Sequence, residues 1–359
     1  MMIKLAIVGT NGVPANYGGL ETLTENLTKL LDEKFRITIY CSKNRRSLYP
    51  EKFGNAYLIY SRLKANGWQS ILYDTWTTVH ALIKNDVVVL MGPGVGMVLL
   101  LNILLKKKIV VNHGGLDEWN REKYSWFERK FLYYSTKFTA LLSQVNVADN
   151  TILANSLKEN FSVNSVVIRY GGDYSYKYTD EIRNKYSKIT NLNKYYISVS
   201  RAQIDNNIHI VIDAFLTMKE NVVIISNWSI SEYGKNLWTK YANKYENIIL
   251  LDAIYDKDEL GYLRDNAFAY IHSHSRCGTA PSLVEAMWQN KYPICFDVPT
   301  NRETTFNDSS YFNNAQDLVD VVKKLDDVCI NKFSDKNYAK IASDYTWKKI
   351  SDEYAKVFL

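Results

Sequence analysis

The fold of this chain is decided by Gly9-Thr10-Asn11-Gly12-Val13-Pro14-Ala15-Asn16-Tyr17-Gly18-Gly19-Leu20-Glu21-Thr22. An apolar run at residues 3–8 precedes this stretch and is typical of a buried strand. Leucines at three- and four-residue spacing follow it and predict an amphipathic helix. Glycines between a first strand and a first helix let backbone N–H groups approach an anion, and open parallel sheets bind ligands at that edge. A tight turn without a ligand would use the same residues, so the loop alone leaves both interpretations open.

Short β-rich runs alternate with helical patterns, which predicts α/β units with parallel sheets. In the first half we predict strands at 3–8, 35–40, 56–60, 87–91, 109–111, 151–154 and 166–168. In the second half we predict strands at 196–200, 222–226, 248–251 and 269–272. A length of 359 residues suits two domains better than one. The predicted boundaries are 1–172 and 195–335 for two Rossmann-like domains, 173–194 for their connection and 336–359 for a C-terminal helix.

The composition narrows the class of function. The formal net charge of +6 suits a phosphorylated ligand or an anionic membrane surface, but it is too weak for a nucleic-acid-binding protein. The four cysteines form no CxxC pair, which argues against a disulfide framework and a zinc site and favours a reducing compartment. The N-terminus lacks the pattern of a signal peptide, so a cytoplasmic location is expected.

A nearly apolar segment at residues 87–105 is long enough to be considered as a membrane span. Its glycines and proline at 92–96 favour instead a buried strand at 87–91, a loop and a helix from about residue 98 to 105. Lys106, Lys107 and Lys108 follow at once. We interpret them as a solvated helix end rather than as a site for anionic lipid.

A polar cluster follows the predicted strand at 269–272, and it runs from His272 through Arg276, Cys277, Gly278 and Thr279 to Met287. Pro281 fits the first turn of a helix whose free N–H groups would bind an anion. Glu285 on that helix could accept hydrogen bonds from two neighbouring hydroxyls, such as a ribose diol, although a surface carboxylate would have the same spacing. His272 and His274 would face opposite ways on an extended segment, which makes them a poor pair for one metal.

Two further polar segments are ambiguous from sequence. The loop after the predicted strand at 109–111 carries His113, Asp117 and Glu118, which are candidates for substrate contact or ordinary caps and surface residues. Asp256-Lys257-Asp258 is similar to the acidic signature of metal-dependent sugar transfer. A helix N-cap with a first-turn acid explains this triplet better.

Taken together, these motifs make the chain recognisable. The Gly9–Thr22 stretch resembles the N-terminal domain of the rhamnosyltransferase-like branch of family 4 glycosyltransferases. His274 with residues 278–287 resembles the donor-binding stretch of the same branch. The resemblance extends to further short motifs, namely Arg201 with Asn206-Asn207, Tyr170-Gly171-Gly172-Asp173, Asn301-Arg302-Glu303 and Tyr345-Thr346-Trp347.

The resemblance implies a GT-B fold, with two Rossmann-like domains facing across a cleft and the last helix returning to the first domain. It also implies metal-independent transfer of a sugar, with retention, from a nucleotide diphosphate donor. The residues implied to bind the donor are Gly18, Gly19, Arg201, His274, Gly278, Thr279, Ser282, Leu283 and Glu285. Those implied for the acceptor side are Tyr17, Glu21, Asp117 and Glu118, and those implied for catalysis are His113, Arg201 and Glu285.

Three positions depart from the pattern of the family. Cys277 stands where the wider family has a glutamate, Asn206 stands where it has a basic residue, and Asn11 replaces the arginine that is usual in the branch. We therefore expect sugar-ring recognition to differ from that of the wider family.

The resulting prediction is a peripheral protein of the inner face of the cytoplasmic membrane that needs no cofactor. It would add L-rhamnose from dTDP-rhamnose to a lipid-linked oligosaccharide of a capsule or O-antigen. The alternatives are another donor such as a UDP-hexose, a UDP-sugar epimerase on the same fold, and a non-catalytic nucleotide-sugar-binding subunit.

Overall fold

The computed structural model describes residues 2–15, 18–31, 34–43, 48–65, 67, 69–115, 117–121 and 124–359. The chain divides into two units, one formed by Met1–Tyr170 with Trp347–Leu359 and the other by Gly171–Thr346. Each unit contains its own sheet.

The first unit is built on an eight-stranded sheet in the order β3-β4-β2-β1-β5-β6-β7-β8. Its strands are β1 Ile3–Val8, β2 Phe35–Ser42, β3 Lys52–Phe53, β4 Ala56–Ser61, β5 Val87–Met91, β6 Lys108–Asn112, β7 Val145–Ala148 and β8 Val166–Val167. All neighbours pair in parallel except β3 with β4. The helices are α1 Gly19–Leu30, α2 Gln69–Lys84, α3 Asn102–Leu105, α4 Trp126–Leu142 and α5 Thr151–Phe161, and 3-10 turns form at Gly96–Leu101 and Glu118–Asn120.

The second unit is built on a six-stranded parallel sheet in the order β11-β10-β9-β12-β13-β14. Its strands are β9 Tyr195–Val199, β10 Asn221–Ser226, β11 Ile248–Asp252, β12 Ala269–His272, β13 Tyr292–Phe296 and β14 Ser310–Phe312. The helices are α6 Asp180–Thr190, α7 Ile208–Phe215, α8 Glu232–Tyr241, α9 Lys257–Asp265, α10 Pro281–Trp288, α11 Pro299–Thr304, α12 Ala315–Lys324 and α13 Asp327–Asp344, and 3-10 turns form at Ile204–Asn206 and Trp228–Ile230.

Both sheets reverse their strand order at one point, between β1 and β5 in the first unit and between β9 and β12 in the second. In open parallel sheets this switch point leaves a crevice beyond the carboxyl ends of the two strands. The loops that follow these strands are therefore the places to look for ligand-binding residues.

Alternating side chains of the second sheet supply two cores. Tyr195, Ile197 and Val223 belong to one apolar cluster, whereas Tyr196 and Ile224 belong to the cluster on the other face. Burial of both faces explains why these strands are continuous apolar runs in the sequence.

The last helix, α14 Trp347–Phe358, packs on the first unit. Phe358 makes an edge-to-face contact with Phe35, with ring centroids 5.9 Å apart. The Tyr354 hydroxyl accepts a 2.6 Å hydrogen bond from the Asn112 amide. The predicted apolar face of this helix is confirmed, because Trp347, Ile350, Tyr354 and Phe358 are all buried.

The structure differs from the predicted elements in several places, and it contains the strands β3, β13 and β14, which we did not predict. Residues 151–154 begin α5 rather than form a strand, because the Asn150 side chain caps the helix by accepting from the Leu153 N–H at 2.8 Å. The strand of that region is β7, which we did not predict. The helix predicted from about residue 98 is a 3-10 turn followed by the four-residue α3.

Two further differences concern the ends of the second unit. The run predicted as one helix at 336–359 is divided at Tyr345 and Thr346 between α13 of the second unit and α14 of the first. The predicted connection at 173–194 contains α6 and packs on the second unit, where Lys185 pairs with Glu259 at 2.7 Å. No helix among the described residues is long and apolar enough to cross a membrane.

Candidate functional site

The loops that follow β9 and β12 are tied together at the switch point of the second sheet. The Asn206 amide donates to the Arg201 carbonyl at 2.7 Å, and the Ser273 hydroxyl donates to the Asn206 carbonyl at 2.5 Å. The Asn207 amide donates to the Ser273 carbonyl at 3.0 Å. The position where the family usually has a basic residue is therefore used by Asn206 to fix the backbone of the Arg201 loop.

Arg201 presents its side chain to solvent at this crevice. Among the residues that the structure describes, no carboxylate pairs with its guanidinium. An arginine without an internal partner keeps its full hydrogen-bonding capacity for a phosphate.

The start of α10 faces the same crevice from the end of β12. Ala280 is the N-cap and makes no side-chain capping bond, and Pro281 occupies the first turn. The Ala280 carbonyl accepts from the N–H groups of Leu283 and Val284, at 3.1 and 3.2 Å. Within the described chain the Ser282 N–H has no acceptor, and Gly278 and Thr279 are buried just before the helix. An uncapped helix start of this kind favours an anion.

Glu285 is not a surface carboxylate. Its Oε2 accepts a 2.8 Å hydrogen bond from Arg264, a side chain on α9 that is only 1% exposed. Arg264 also donates to the Gln289 side chain at 2.9 Å. No described residue donates to the other oxygen of Glu285, Oε1. Burial raises the pKa of Glu285, and the Arg264 guanidinium opposes that rise.

Leu283, which the resemblance implies for donor binding, lies in the core of the second unit. Its side chain is fully buried in the core beside Val284 and Ala286, because the helical period turns these residues toward the sheet. Its N–H is already bonded to Ala280. The Leu283 side chain therefore packs α10 on the sheet, and a donor contact of this residue stays a prediction.

His272, His274 and Cys277 come together, contrary to the prediction that the two histidines face opposite ways. Their rings lie 4.2 Å apart between centroids, and His272 Nε2 lies 3.8 Å from Cys277 Sγ. The physical reason is that β12 ends at His272, so the alternation of an extended strand stops there. One ligand atom from each residue lies within 4.8 Å of the others. Two imidazoles and a thiol are ligands that Zn²⁺ accepts.

The glycine loop of the first unit is held from several sides. The Tyr73 hydroxyl donates to the carbonyls of Thr10 and Tyr40, at 2.9 and 3.0 Å. Gly12 has φ +97°, and a Cβ there would overlap Cys41. Both the backbone conformation and the packing therefore require a glycine at position 12.

Glu21 is buried and is the hydrogen-bond partner of Asn11. One carboxylate oxygen of Glu21 accepts from both the backbone N–H and the side-chain amide of Asn11, at 3.0 Å each. Glu21 thus stabilises the loop, and the acceptor-side role that the resemblance implies for it is not supported. Gly18 and Gly19 open α1, which has no side-chain cap. Tyr17 lies outside the described residues.

His113 is buried, with 4% of its surface exposed. The Asn146 amide donates to the Ala140 carbonyl, so its oxygen accepts from His113 Nε2 at 2.8 Å. This leaves Nδ1 as a lone-pair acceptor, and no described residue donates to it. Burial lowers the pKa of His113 to about 4, opposed by the bond to Asn146, so the ring is neutral near pH 7.

Asp117, one of the two acids after His113, has a structural partner. Asp117 accepts a 2.5 Å hydrogen bond from the Ser156 hydroxyl and so anchors its turn to α5. Glu118 belongs to the following 3-10 turn, and its side chain lies outside the described part of the structure. The acidic triplet at 256–258 is confirmed as a cap, because Asp256 accepts from the N–H groups of Asp258 and Glu259.

Two residues shape the second-unit site without having been assigned to it from sequence: Arg264 was missed, and Asn301 was named only as part of a family motif. Arg264 positions Glu285, and its signal was a charge placed on the apolar face of α9 with Leu260 and Leu263. Asn301 donates to the carbonyls of His274 and Phe296, at 2.9 Å each. Only the fold brings Asn301 to the loop after β12, because 27 residues separate it from His274.

Comparisons with known proteins agree with this architecture. The family described as "Domain of unknown function (DUF1972)" matches residues 2–173. A comparison with curated proteins finds no match. HepE of Anabaena, solved with UDP-glucose, is 12% identical with a TM-score of 0.75, and the alignment covers 99% of each chain.

Two more solved structures are similar over nearly the whole chain. Sucrose-phosphate synthase from Thermosynechococcus elongatus is 11% identical with a TM-score of 0.76, covering 99% of this chain and 98% of the other. An E. coli trehalose-6-phosphate structure with UDP-2-fluoro glucose is 10% identical with a TM-score of 0.70, covering 99% and 98%. The predicted fold class is confirmed: the chain has the two-unit α/β architecture of the GT-B fold.

Proposed function

We propose that this chain is a retaining glycosyltransferase of surface polysaccharide synthesis, for a capsule or an O-antigen. It transfers a sugar, most simply L-rhamnose from dTDP-rhamnose, to a lipid-linked oligosaccharide. It works without a metal, as a peripheral protein on the inner face of the cytoplasmic membrane.

The observation that carries this proposal is the arrangement of Glu285. Arg264 fixes one of its carboxylate oxygens, while Oε1 receives no hydrogen bond from any described residue. A carboxylate oriented in this way accepts hydrogen bonds from the two hydroxyls of a ribose. The ribose belongs to the nucleotide, so this contact recognises a nucleotide-sugar whichever sugar is transferred.

In this proposal the start of α10 and Arg201 bind the diphosphate of the donor. The uncapped helix start supplies the Ser282 N–H and a partial positive charge, and Arg201 supplies a guanidinium that pairs with no described carboxylate. Negative charge grows on the diphosphate as the glycosidic bond to the donor breaks. Hydrogen-bonding groups that point at this charge lower the activation barrier because they are already oriented before the reaction.

The acceptor is assigned to the first unit. His113 Nδ1 is neutral and receives no hydrogen bond from the described residues, so it is suited to accept one from a substrate hydroxyl. Gly18 and Gly19 give α1 a start without side-chain obstruction. In this proposal the acceptor hydroxyl attacks the donor carbon from the face that the diphosphate leaves, which retains the configuration.

Another donor is the second candidate. HepE is solved with UDP-glucose, and the E. coli structure is bound with UDP-2-fluoro glucose, which favours a UDP-hexose as the alternative. Cys277 and Asn206, which replace the usual family residues, favour a third candidate, a non-catalytic nucleotide-sugar-binding subunit.

The test is incubation of the purified chain with a mixed pool of dTDP- and UDP-sugars and a lipid-linked acceptor. Mass spectrometry of the product is expected to show the addition of one deoxyhexose, whereas a hexose adduct would select the UDP-hexose alternative. Glu285→Gln is expected to lower kcat/KM by about 10- to 100-fold, since a hydrogen bond to a charged group contributes about 1.5–3 kcal/mol. The matched control is Glu232→Gln, at an exposed glutamate of α8.

Three outcomes would contradict the transferase proposal. A free epimerised nucleotide-sugar formed without acceptor would identify an epimerase. Donor binding without any product would support the non-catalytic subunit. Equal activity of Glu285→Gln and the control would remove the assignment of the ribose contact.

A further inference from the structure

Helix α4 is amphipathic, but its polar side is buried and its apolar side faces solvent. Its buried positions are small and mostly polar, namely Ser135, Thr136, Thr139 and Ala140. Its outer face is apolar and aromatic, with exposed side chains at Trp126, Phe127, Phe131, Tyr134 and Leu141. Phe127, the most open of them, is 77% exposed. A helix that turns aromatic rings to solvent in this way presents a surface for a partner.

A second apolar element lies beside α4. The Gly96–Leu101 turn and α3 expose Met97, Leu100, Leu101, Ile103, Leu104 and Leu105. The Gly96 N–H donates to the Ser135 hydroxyl at 3.0 Å, and a Cβ on Gly96 would lie 2.7 Å from the Thr139 nitrogen. This backbone contact packs the turn against the buried positions of α4, so the two elements form one region of the first unit. We name this region the apolar face; it consists of the exposed apolar side chains of α4, of the Gly96–Leu101 turn and of α3.

Basic side chains accompany the apolar face. Lys106 and Lys107 follow α3, and Arg129, Lys130 and Lys137 lie on α4. Lys107 is 3.9 Å from Asp86, and Glu128, the acid of this helix start, is held by the capping box with Ser125. Five basic side chains outnumber the carboxylates of Asp86 and Glu128, so the local charge is positive and complements an anionic surface.

We propose that the apolar face docks the first unit on a lipid bilayer that contains anionic headgroups. Its aromatic rings and leucines enter the headgroup region, and the lysines pair with lipid phosphates. Trp and Tyr favour the interface between water and hydrocarbon, where an amphipathic ring satisfies both environments. The positive local charge and the aromatic content favour a bilayer over a second copy of the chain, which would bring like charges together.

This inference deepens the proposed function and rests on it for its purpose, since a lipid-linked acceptor has its lipid in the bilayer. It also changes the interpretation of Lys106, Lys107 and Lys108. The sequence favoured a solvated helix end, but the preceding leucines are exposed rather than buried.

The test is flotation of the full chain with vesicles, measured apart from sugar transfer. Binding is expected with phosphatidylcholine vesicles that contain phosphatidylglycerol, and it should weaken with added salt and with phosphatidylcholine alone. The double variant Phe127→Ser/Leu104→Ser is expected to bind at least about tenfold more weakly, because it removes two apolar side chains that enter the bilayer. Lys106→Gln/Lys130→Gln is expected to lose about tenfold or more on anionic vesicles only, at about 1 kcal/mol for each lysine.

The matched control is Tyr255→Ser/Val328→Ser, which removes two exposed apolar side chains of the second unit. Vesicle binding by this control is expected to equal that of the unsubstituted chain. All these side chains are exposed, so circular dichroism should show intact folding.

The inference is overturned if the unsubstituted chain does not float with anionic vesicles, or if the control loses as much binding as the apolar-face variant. It is also overturned if the apolar-face variant converts a dimer to a monomer without any vesicle binding, which would identify a second copy as the occupant. Transfer to a water-soluble acceptor should be unchanged in the apolar-face variant. Loss of transfer by every protein would instead count against the proposed function alone.

Discussion

The ion pair between Arg264 and Glu285 gives the sharpest prediction for the second unit. Arg264→Met leaves the Glu285 carboxylate without its 2.8 Å partner and removes the donor to Gln289. Breaking a buried pair by removing one partner costs about 3–5 kcal/mol. Because the Glu285 side chain is still 17% exposed, solvent reduces this penalty, and we expect a loss of about 3 kcal/mol in the free energy of unfolding.

The double variant Arg264→Met/Glu285→Leu separates the pair from the packing. It removes both charges, so we expect it to be more stable than Arg264→Met alone, with a coupling free energy of about 2 kcal/mol. Urea unfolding followed by tryptophan fluorescence and circular dichroism measures each variant. Equal stability of Arg264→Met and the unsubstituted chain, or strict additivity in the double variant, would refute this reasoning.

A functional measurement distinguishes positioning from mere stability. Arg264→Lys keeps a positive charge but loses the geometry that serves both Glu285 and Gln289. We expect a higher KM for the donor with a smaller change in kcat, measured under conditions where the variant is folded. An unchanged donor KM would limit Arg264 to a structural role.

Three further predictions concern the other residues of the site. His113 becomes protonated below pH 6.5 in the unfolded chain but only near pH 4 in the folded chain. Acidification from pH 7 to 4 should therefore lower the free energy of unfolding by about 3 kcal/mol, and His113→Asn should not show this loss. A difference between the two proteins in urea unfolding that does not change with pH would contradict this. Gly18→Ala should change the free energy of unfolding by no more than about 1 kcal/mol, since its Cβ would lie 3.5 Å from Glu21, yet it should lower sugar transfer if the Gly18 backbone approaches a substrate. Gly12→Ala, at a residue with φ +97°, should instead lower the free energy of unfolding by about 2 kcal/mol or more. Transfer should persist in EDTA, while added Zn²⁺ should inhibit it through His272, His274 and Cys277, and Cys277→Ser should relieve that inhibition in the same assay.

The sequence by itself determined the α/β class and several elements residue by residue. Strands at 3–8, 87–91 and 269–272 agree with the structure because they are buried on both faces and bounded by clear breaks. The Asp256 cap and the apolar face of α14 were also readable, because both depend on short-range spacing. The 151–154 segment was misread because its β-branched start concealed the capping role of Asn150.

Only the tertiary structure decided the roles of individual polar residues. Glu21 and Glu285 are both acids near the start of a helix, yet Glu21 holds Asn11, whereas Glu285 binds Arg264 through one oxygen and has no described donor to the other. Helical or strand period does not distinguish them, because their partners come from other segments. The same holds for the apolar face, since sequence period gives a helix its stripe but not whether the stripe points to the core. Long-range packing makes that choice, because it alone determines which side of each element is removed from water.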